Sequence, residues 1–243
     1  MAFAFVSSTS FYNNTAGLTT INHALNGAPV KGNLLIGIVT SVGSATGCTV
    51  SDPSNGTWLP LGVWNLGTGS LATVNGQAFY VPAAVPVAAT VTLTLSGGTG
   101  TISIQIKEYS YSDYLVPDGG PSYTQQSSAA NVATTGTITT TGASDLVIAA
   151  MMAVTAPPST VGAGYTARND TNAFDIAAGT GGHDWNATEG DLLEDKLGAA
   201  AGNQTATFGT PGATDLSKAV ITAFSTKPYR GWTSPTVGPS SRI

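Results

Sequence analysis

Gly142-Ala143-Ser144-Asp145-Leu146-Val147-Ile148-Ala149-Ala150-Met151-Met152-Ala153-Val154 is the stretch from which the fold is read. Asp145 is the last charge before nine apolar residues, about the length of one buried strand. Some 112 positions earlier, Lys31-Gly32-Asn33-Leu34-Leu35-Ile36-Gly37-Ile38-Val39 does nearly the same. The correspondence continues downstream and in order. Residues 104–110, Ile-Gln-Ile-Lys-Glu-Tyr-Ser, answer to residues 219–225, Ala-Val-Ile-Thr-Ala-Phe-Ser. Residues 90–95 answer to residues 204–208, and the offsets stay between 112 and 115. The expectation is an all-β chain whose residues 1–225 form a two-sheet β-sandwich. Two similar halves, about 30–111 and 132–225, would be joined by a linker at 112–131. An extended tail would follow at 226–243.

Local patterns agree with strands. Val91, Leu93 and Leu95 alternate with threonines, and Ile102, Ile104 and Ile106 alternate with polar residues, the period of a half-buried strand. Asn55-Gly56 suits a tight hairpin, and Trp58 and Trp64 share a face by even spacing. Tyr165, after Gly162-Ala163-Gly164, matches Trp58 in rank. Residues 11–30 read as polar and irregular, and residues 134–141 as a shallow edge strand of β-forming threonines. Residues 191–197, with alternating charge, read as a strand facing water. From residue 226 on, Pro, Gly and Ser dominate, as in a segment ordered against a partner.

Composition excludes several classes of function. Charged residues make up 9% of the chain, against about 25% in ordinary globular domains. The net charge of −5 and a pI near 4.7, with eight scattered Lys and Arg, argue against nucleic acid as a partner. Three of the eight (Lys227, Arg230, Arg242) fall in the tail beside Tyr229 and Trp232, and Tyr229, Arg230 and Trp232 are the candidate docking residues for a protein partner. No run approaches the ~20 apolar residues of a membrane span. Cys48 is the one cysteine, so there is no internal disulfide, and it reads as a small buried hydrophobe. The start, Met-Ala-Phe-Ala-Phe-Val-Ser-Ser, lacks the charged and long apolar regions of a signal peptide. A charge-poor, Thr/Ser/Gly-rich chain without that signal fits a virion protein made in the host cytoplasm, or a fragment of a larger secreted protein.

The ordered set Gly32-Asn33-Leu34-Leu35, Gly56-Thr57-Trp58, Phe79-Tyr80, Glu108-Tyr109-Ser110, Ser144-Asp145-Leu146-Val147, Gly164-Tyr165-Thr166 and Val220-Ile221-Thr222-Ala223-Phe224 resembles a family. It is similar to β-sandwich domains that recur in bacterial secreted and phage-encoded proteins, and the likeness spans about residues 30–225. Asn33 stands where that pattern has Asp. The resemblance implies a jelly-roll or lectin-like sandwich and brings no catalytic residues with it.

Candidates for chemistry are few. His183-Asp184, in what reads as a flexible glycine loop, is a candidate metal or sugar site, with a solvated loop tip as the plainer reading; His23 reads as surface. Glu189, Asp191, Glu194 and Asp195 offer the hard oxygens that Ca²⁺ takes, or a polar face partly neutralised by Lys196. Trp58, Trp64, Trp185 and Trp232, with Tyr109, Tyr111 and Tyr114, offer a glycan-stacking platform or core packing. No zinc-protease, nucleophile-elbow or phosphate-loop motif occurs. The sequence reading is therefore a non-enzymatic, cofactor-free structural protein of a tailed-phage virion. The expected role is decoration or cementing of the capsid as a homo-oligomer, and the alternative is a carbohydrate- or receptor-binding module of a phage tail or bacterial surface.

Overall fold

The computed structural model describes residues 3–65, 73–85, 90–130, 132–153, 160–168, 182–184, 190–209 and 215–227. The first half contains β1 (Ala4–Leu18), β2 (Thr20–Ala24), β3 (Leu34–Gly43), β4 (Gly47–Asp52), β5 (Gly56–Thr57), β6 (Leu59–Asn65), β7 (Val74–Val81), β8 (Thr90–Ser96) and β9 (Gly100–Ser110). Then come β10 (Tyr114–Pro117), β11 (Ser122–Ala130), β12 (Val132–Thr134), β13 (Ile138–Thr140), β14 (Asp145–Ala153) and β15 (Thr166–Ala167). The series closes with β16 (Gly182–Asp184), β17 (Gly190–Ala199), β18 (Gly202–Gln204), β19 (Thr207–Gly209) and β20 (Asp215–Lys227).

The duplication read in the sequence is a duplication of sheets. One sheet has the order β1-β9-β3-β7-β6 and its counterpart the order β10-β20-β14-β17-β15, with β11 also on β20 and β16 also on β17. Register repeats as well as order. Leu34 pairs with Tyr109 and Leu146 with Phe224; Thr40 lies between Ser103 and Gly76, and Met152 between Lys218 and Asp191. All these pairings are antiparallel, so successive side chains alternate between two faces.

Both faces of these two central sheets are covered. β3 is buried over its first eight residues and β14 over all nine. Leu34, Ile36 and Ile38 of β3 meet Leu146, Ile148 and Ala150 of β14 in a core between the two sheets. The opposite face of β3, with Leu35 and Val39, packs on the sheet β2-β8-β4-β5 through Val50, Val91, Leu93 and Leu95. The opposite face of β14, with Val147, Ala149 and Met151, packs on the short pairs β12-β19 and β13-β18 through Ala133, Ile138, Ala206 and Phe208. The result is an all-β sandwich of two similar halves, as expected, in which each half brings its own pair of layers.

Trp58 shows how sequence sets this packing. Its indole fills the first core at 1% exposure, with Nε1 donating to Asp52 Oδ2 at 2.7 Å. The ring lies on Gly37, where even a Cβ would stand 3.1 Å from it. Tyr165 occupies the second core, keeping the rank that the sequence gives it.

Several expectations need correction. Residues 11–30 are not irregular throughout, since β1 runs to Leu18 along β9 and β2 pairs with β8. Backbone pairing carries these polar edge strands, and apolar content was a poor guide to them. The segment 112–131 is more than a connection: β10 and β11 lie end to end along β20 and form the edge of its sheet. Residues 191–197 belong to β17, which lies inside its sheet and does not face water. Residues 134–141 divide between two short strands. The side chain of Trp64 and residues 228–243 lie outside the described residues.

Because one apolar layer is shared by both halves, truncating it should weaken both together. Leu34→Ala and Ile148→Ala are each expected to lower the unfolding free energy by about 2–5 kcal/mol. Urea unfolding followed by fluorescence and by circular dichroism should stay a single coincident transition; two separated transitions would show that the halves stand alone.

Candidate functional site

Among the described residues, one set of buried polar and charged side chains lies between the two central sheets. β9 sends Ile102, Ile104 and Ile106 into the first core, and strand alternation therefore sends Ser103, Gln105 and Tyr109 toward β17 and Lys107 toward Ser8 and Arg168. Asp191, at 3% exposure, accepts from Ser103 Oγ at 2.7 Å, from Thr40 Oγ1 at 3.2 Å and from Gln105 Nε2. Four residues on, Asp195 accepts from Tyr109 Oη at 2.8 Å and from Arg168 Nε and Nη2 at 2.7 and 2.9 Å. Arg168 also lies over the Phe5 ring, 4.8 Å from its centroid, and its carbonyl accepts from Lys107 Nζ. A carboxylate buried this deeply is tolerated when charged or strong donors surround it. Burial, reinforced by the charge of Asp195, drives the Tyr109 phenol well above its ordinary range, so it stays a donor.

The other face of β17 holds a different acid. Glu194, with 0% exposure, accepts from Gly162 N–H at 2.7 Å through Oε2, while Oε1 and the nearby Tyr165 hydroxyl make no hydrogen bond among the described residues. Burial pushes the Glu194 carboxyl up to about 7. Burial and the Glu194 charge likewise raise the Tyr165 phenol. Phe79 stands at the matching place in the first half, paired with Gly37 as Glu194 is with Ala149.

A second pair of acids sits where β14 begins. Asp118 accepts from Thr141 N–H, Thr141 Oγ1 and Gly142 N–H, each at 2.8 Å. Burial acts against it, but these bonds hold its carboxyl below the usual range. Asp145 is raised, first by burial and then by the Asp118 charge, with Ser225 partly opposing. Among the described residues neither of its oxygens makes a hydrogen bond of good geometry, which leaves burial the largest influence on it.

The departure at Asn33 has its explanation here. Asn33 Nδ2 donates at 2.7 Å to Glu108, which also accepts from Val30 N–H and Ser7 Oγ. An Asp at 33 would set two carboxylates together. In the second half Ala223 matches Glu108, and there the Asp is kept at 145.

The sequence candidates are dispersed. Asp191 and Asp195 face one way and Glu194 the other, while Glu189 lies outside the described residues; among the described residues no group of three or more His, Cys, Asp or Glu gathers to hold a metal. His183-Asp184 is strand β16 paired with β17, not a loop; the side chains are outside the described set. His23 is half-buried and stacked on Phe11, with ring centroids 4.4 Å apart, and is not a plain surface residue. Trp58 and Tyr109 are buried and so offer no stacking face, Tyr111 is half-buried, and Tyr114 is 63% exposed. Cys48 packs against the first core, and burial pushes its thiol up to about 12. The docking residues Tyr229, Arg230 and Trp232, and also Trp185, lie outside the described residues.

What the sequence reading missed is the seam itself: Thr40, Ser103, Gln105, Lys107 and Arg168. For Ser103, Gln105 and Lys107 the signal was the strict polar alternation along β9, which has the same form as a solvent-facing edge; Thr40 and Arg168 carried none. No protein-family model matches the chain, and no curated protein matches it in sequence. Among solved structures, the STIV MCP, a viral major capsid protein, aligns over 94% of this chain and 100% of its own with a TM-score of 0.30 and 9% identity. A protein of Eubacterium rectale described as secreted aligns over 89% of this chain and 73% of its own, with a TM-score of 0.23 and 9% identity. Likenesses at this distance transfer no site and no role.

Two outcomes are expected from these buried charges. Arg168→Ala removes the cation from Asp195 and should cost about 2 kcal/mol or more, read as a fall in the urea midpoint. Glu194 binds its proton more tightly folded than unfolded, so its contribution to stability is lost as the pH rises from about 4.5 through about 7. Glu194→Gln should remove that part of the pH slope and be the more stable protein in mildly alkaline buffer; an unchanged slope would count against it.

Proposed function

We propose that this chain is a non-enzymatic structural protein of a virion, a decoration or cement subunit on the capsid of a tailed phage that acts as a homo-oligomer. The observation that carries the reading is where its few charges lie. The chain has 8 basic and 13 acidic residues, and Asp52, Lys107, Glu108, Asp145, Asp191, Glu194, Asp195 and Lys218 are all buried. Charges placed inside the body are not available to attract a charged substrate or to repel a neighbouring copy. Among the described residues the exposed positions are dominated by Thr, Gly and Ala, a surface that suits dense packing against similar surfaces. Charge is depleted at the centres of protein interfaces for the same reason. Many weak contacts in a repeating array hold firmly through multivalency.

The tail after β20 supplies the specific contact in this reading, through Tyr229, Arg230 and Trp232. The test is the solution mass of the chain together with co-sedimentation on phage heads. A defined oligomer that coats heads, and no longer does so when residues 228–243 are deleted, is the expected result. A monomer that ignores heads and is retained on a glycan surface would overturn the reading in favour of a carbohydrate-binding module.

A further inference from the structure

The two halves treat the same three positions in opposite ways beside the start of their central strands. In the first half one carboxylate, Glu108, accepts from Ser7 Oγ at 2.8 Å and from Asn33 Nδ2 at 2.7 Å. Register assigns the counterparts in the second. Asp118 answers to Ser7, Asp145 to Asn33 and Ala223 to Glu108. The second half therefore has carboxylates where the first has donors, and a methyl group where the first has its carboxylate.

Asp118 and Asp145 interact directly, so two like charges meet there. Asp118 is half-buried and is satisfied by Thr141 and Gly142. Asp145 is 0% exposed, and among the described residues neither of its oxygens makes a hydrogen bond of good geometry. The hydroxyls of Ser225 and Thr140 lie near it. An added Cβ at Gly142 would collide with both Asp145 Oδ1 and Ser225 Oγ, so these oxygens converge on one side of that residue. No basic side chain forms an ion pair with either acid among the described residues.

A buried carboxylate beside a second one calls for a counter-charge. The groups that face Asp145 are oxygens, from one carboxyl and two hydroxyls. Oxygen ligands suit a hard cation. Ca²⁺ takes variable oxygen sets and completes its shell with water, whereas Mg²⁺ demands near-octahedral geometry. Asp118, open to solvent on one side, gives such an ion its route in.

We propose that the Asp118–Asp145 pair is a Ca²⁺ site, with both Asp145 oxygens, Asp118 Oδ1 and Ser225 Oγ as protein ligands and water for the rest. Two acids hold the ion less tightly than three would, and half-saturation is expected at about 0.1–1 mM. The site stands independently of any role in a particle.

The test uses the full chain after chelator treatment, titrated with calcium chloride by calorimetry near neutral pH and then unfolded by heat. Calcium should bind saturably and raise the thermal midpoint by about 4–7 °C at roughly 10 mM. Sodium chloride at matched ionic strength should not. Asp145→Asn restores the neutral residue of the first half; it should lose the calcium response and, without calcium, unfold no earlier than the parent. Asp118→Asn keeps an acceptor for the Thr141 and Gly142 amides and should weaken binding about tenfold or more. Absence of saturable heat and of any rise in midpoint in the parent chain overturns the proposal. So does a rise equalled by sodium chloride, or a response that persists undiminished in both variants.

Discussion

Everything in this fold depends on the apolar face that β3 and β14 turn toward each other. Leu34, Ile36 and Ile38 on one side, and Leu146, Ile148 and Ala150 on the other, bury the inner faces of both central sheets, while the outer sheets cover the opposite faces. Transfer of such side chains out of water stabilises by roughly 1.5–3 kcal/mol each. The layer therefore joins two sandwiches, each with its own core, into one body. It also explains why the strands that define each half are apolar runs and not alternating ones. A strand covered on one side shows a period of two, and a strand covered on both sides shows none.

That same layer creates an environment in which charge is costly, and the chain answers with paired donors. Asp191 accepts from Thr40, Ser103 and Gln105 of the opposite half and Asp195 from Tyr109 of the opposite half beside Arg168 of its own, so these cross-half bonds form only when the halves are in register. The apolar contacts are tolerant of a small slide; the hydrogen bonds are not. Division of labour follows from this difference, with burial supplying adhesion and the carboxylates fixing alignment. Glu194 and Asp145 are exceptions, since each keeps a raised proton affinity in place of a full set of donors.

Duplication also separates what must be kept from what can vary. The paired positions Leu34 and Leu146, or Tyr109 and Phe224, keep large apolar groups because both halves place them in the shared layer. Positions at the margins have diverged: Asn33 against Asp145, Gly76 against Asp191, Ser103 against Lys218. At each of these places one half carries a charged side chain where the other carries a neutral one or none.

The sequence by itself determined the all-β class, the two halves, their order of motifs and most core strands. Each of these rests on local periodicity or on self-similarity, which a single chain displays directly. It also placed Trp58 and Tyr165 as counterparts, and their structural cores agree. Only the tertiary structure decided that Ser103, Gln105 and Lys107 are buried and that Asp191 and Asp195 face a partner sheet. The physical reason is that alternation tells which residues share a face, and says nothing of what that face meets. A polar face turned to water and a polar face turned to donors on another sheet have the same pattern in sequence. The polar continuation of β1 to Leu18 and the edge strands β2, β10 and β11 were hidden for a related reason, because main-chain pairing to a neighbour leaves no mark on side-chain hydropathy.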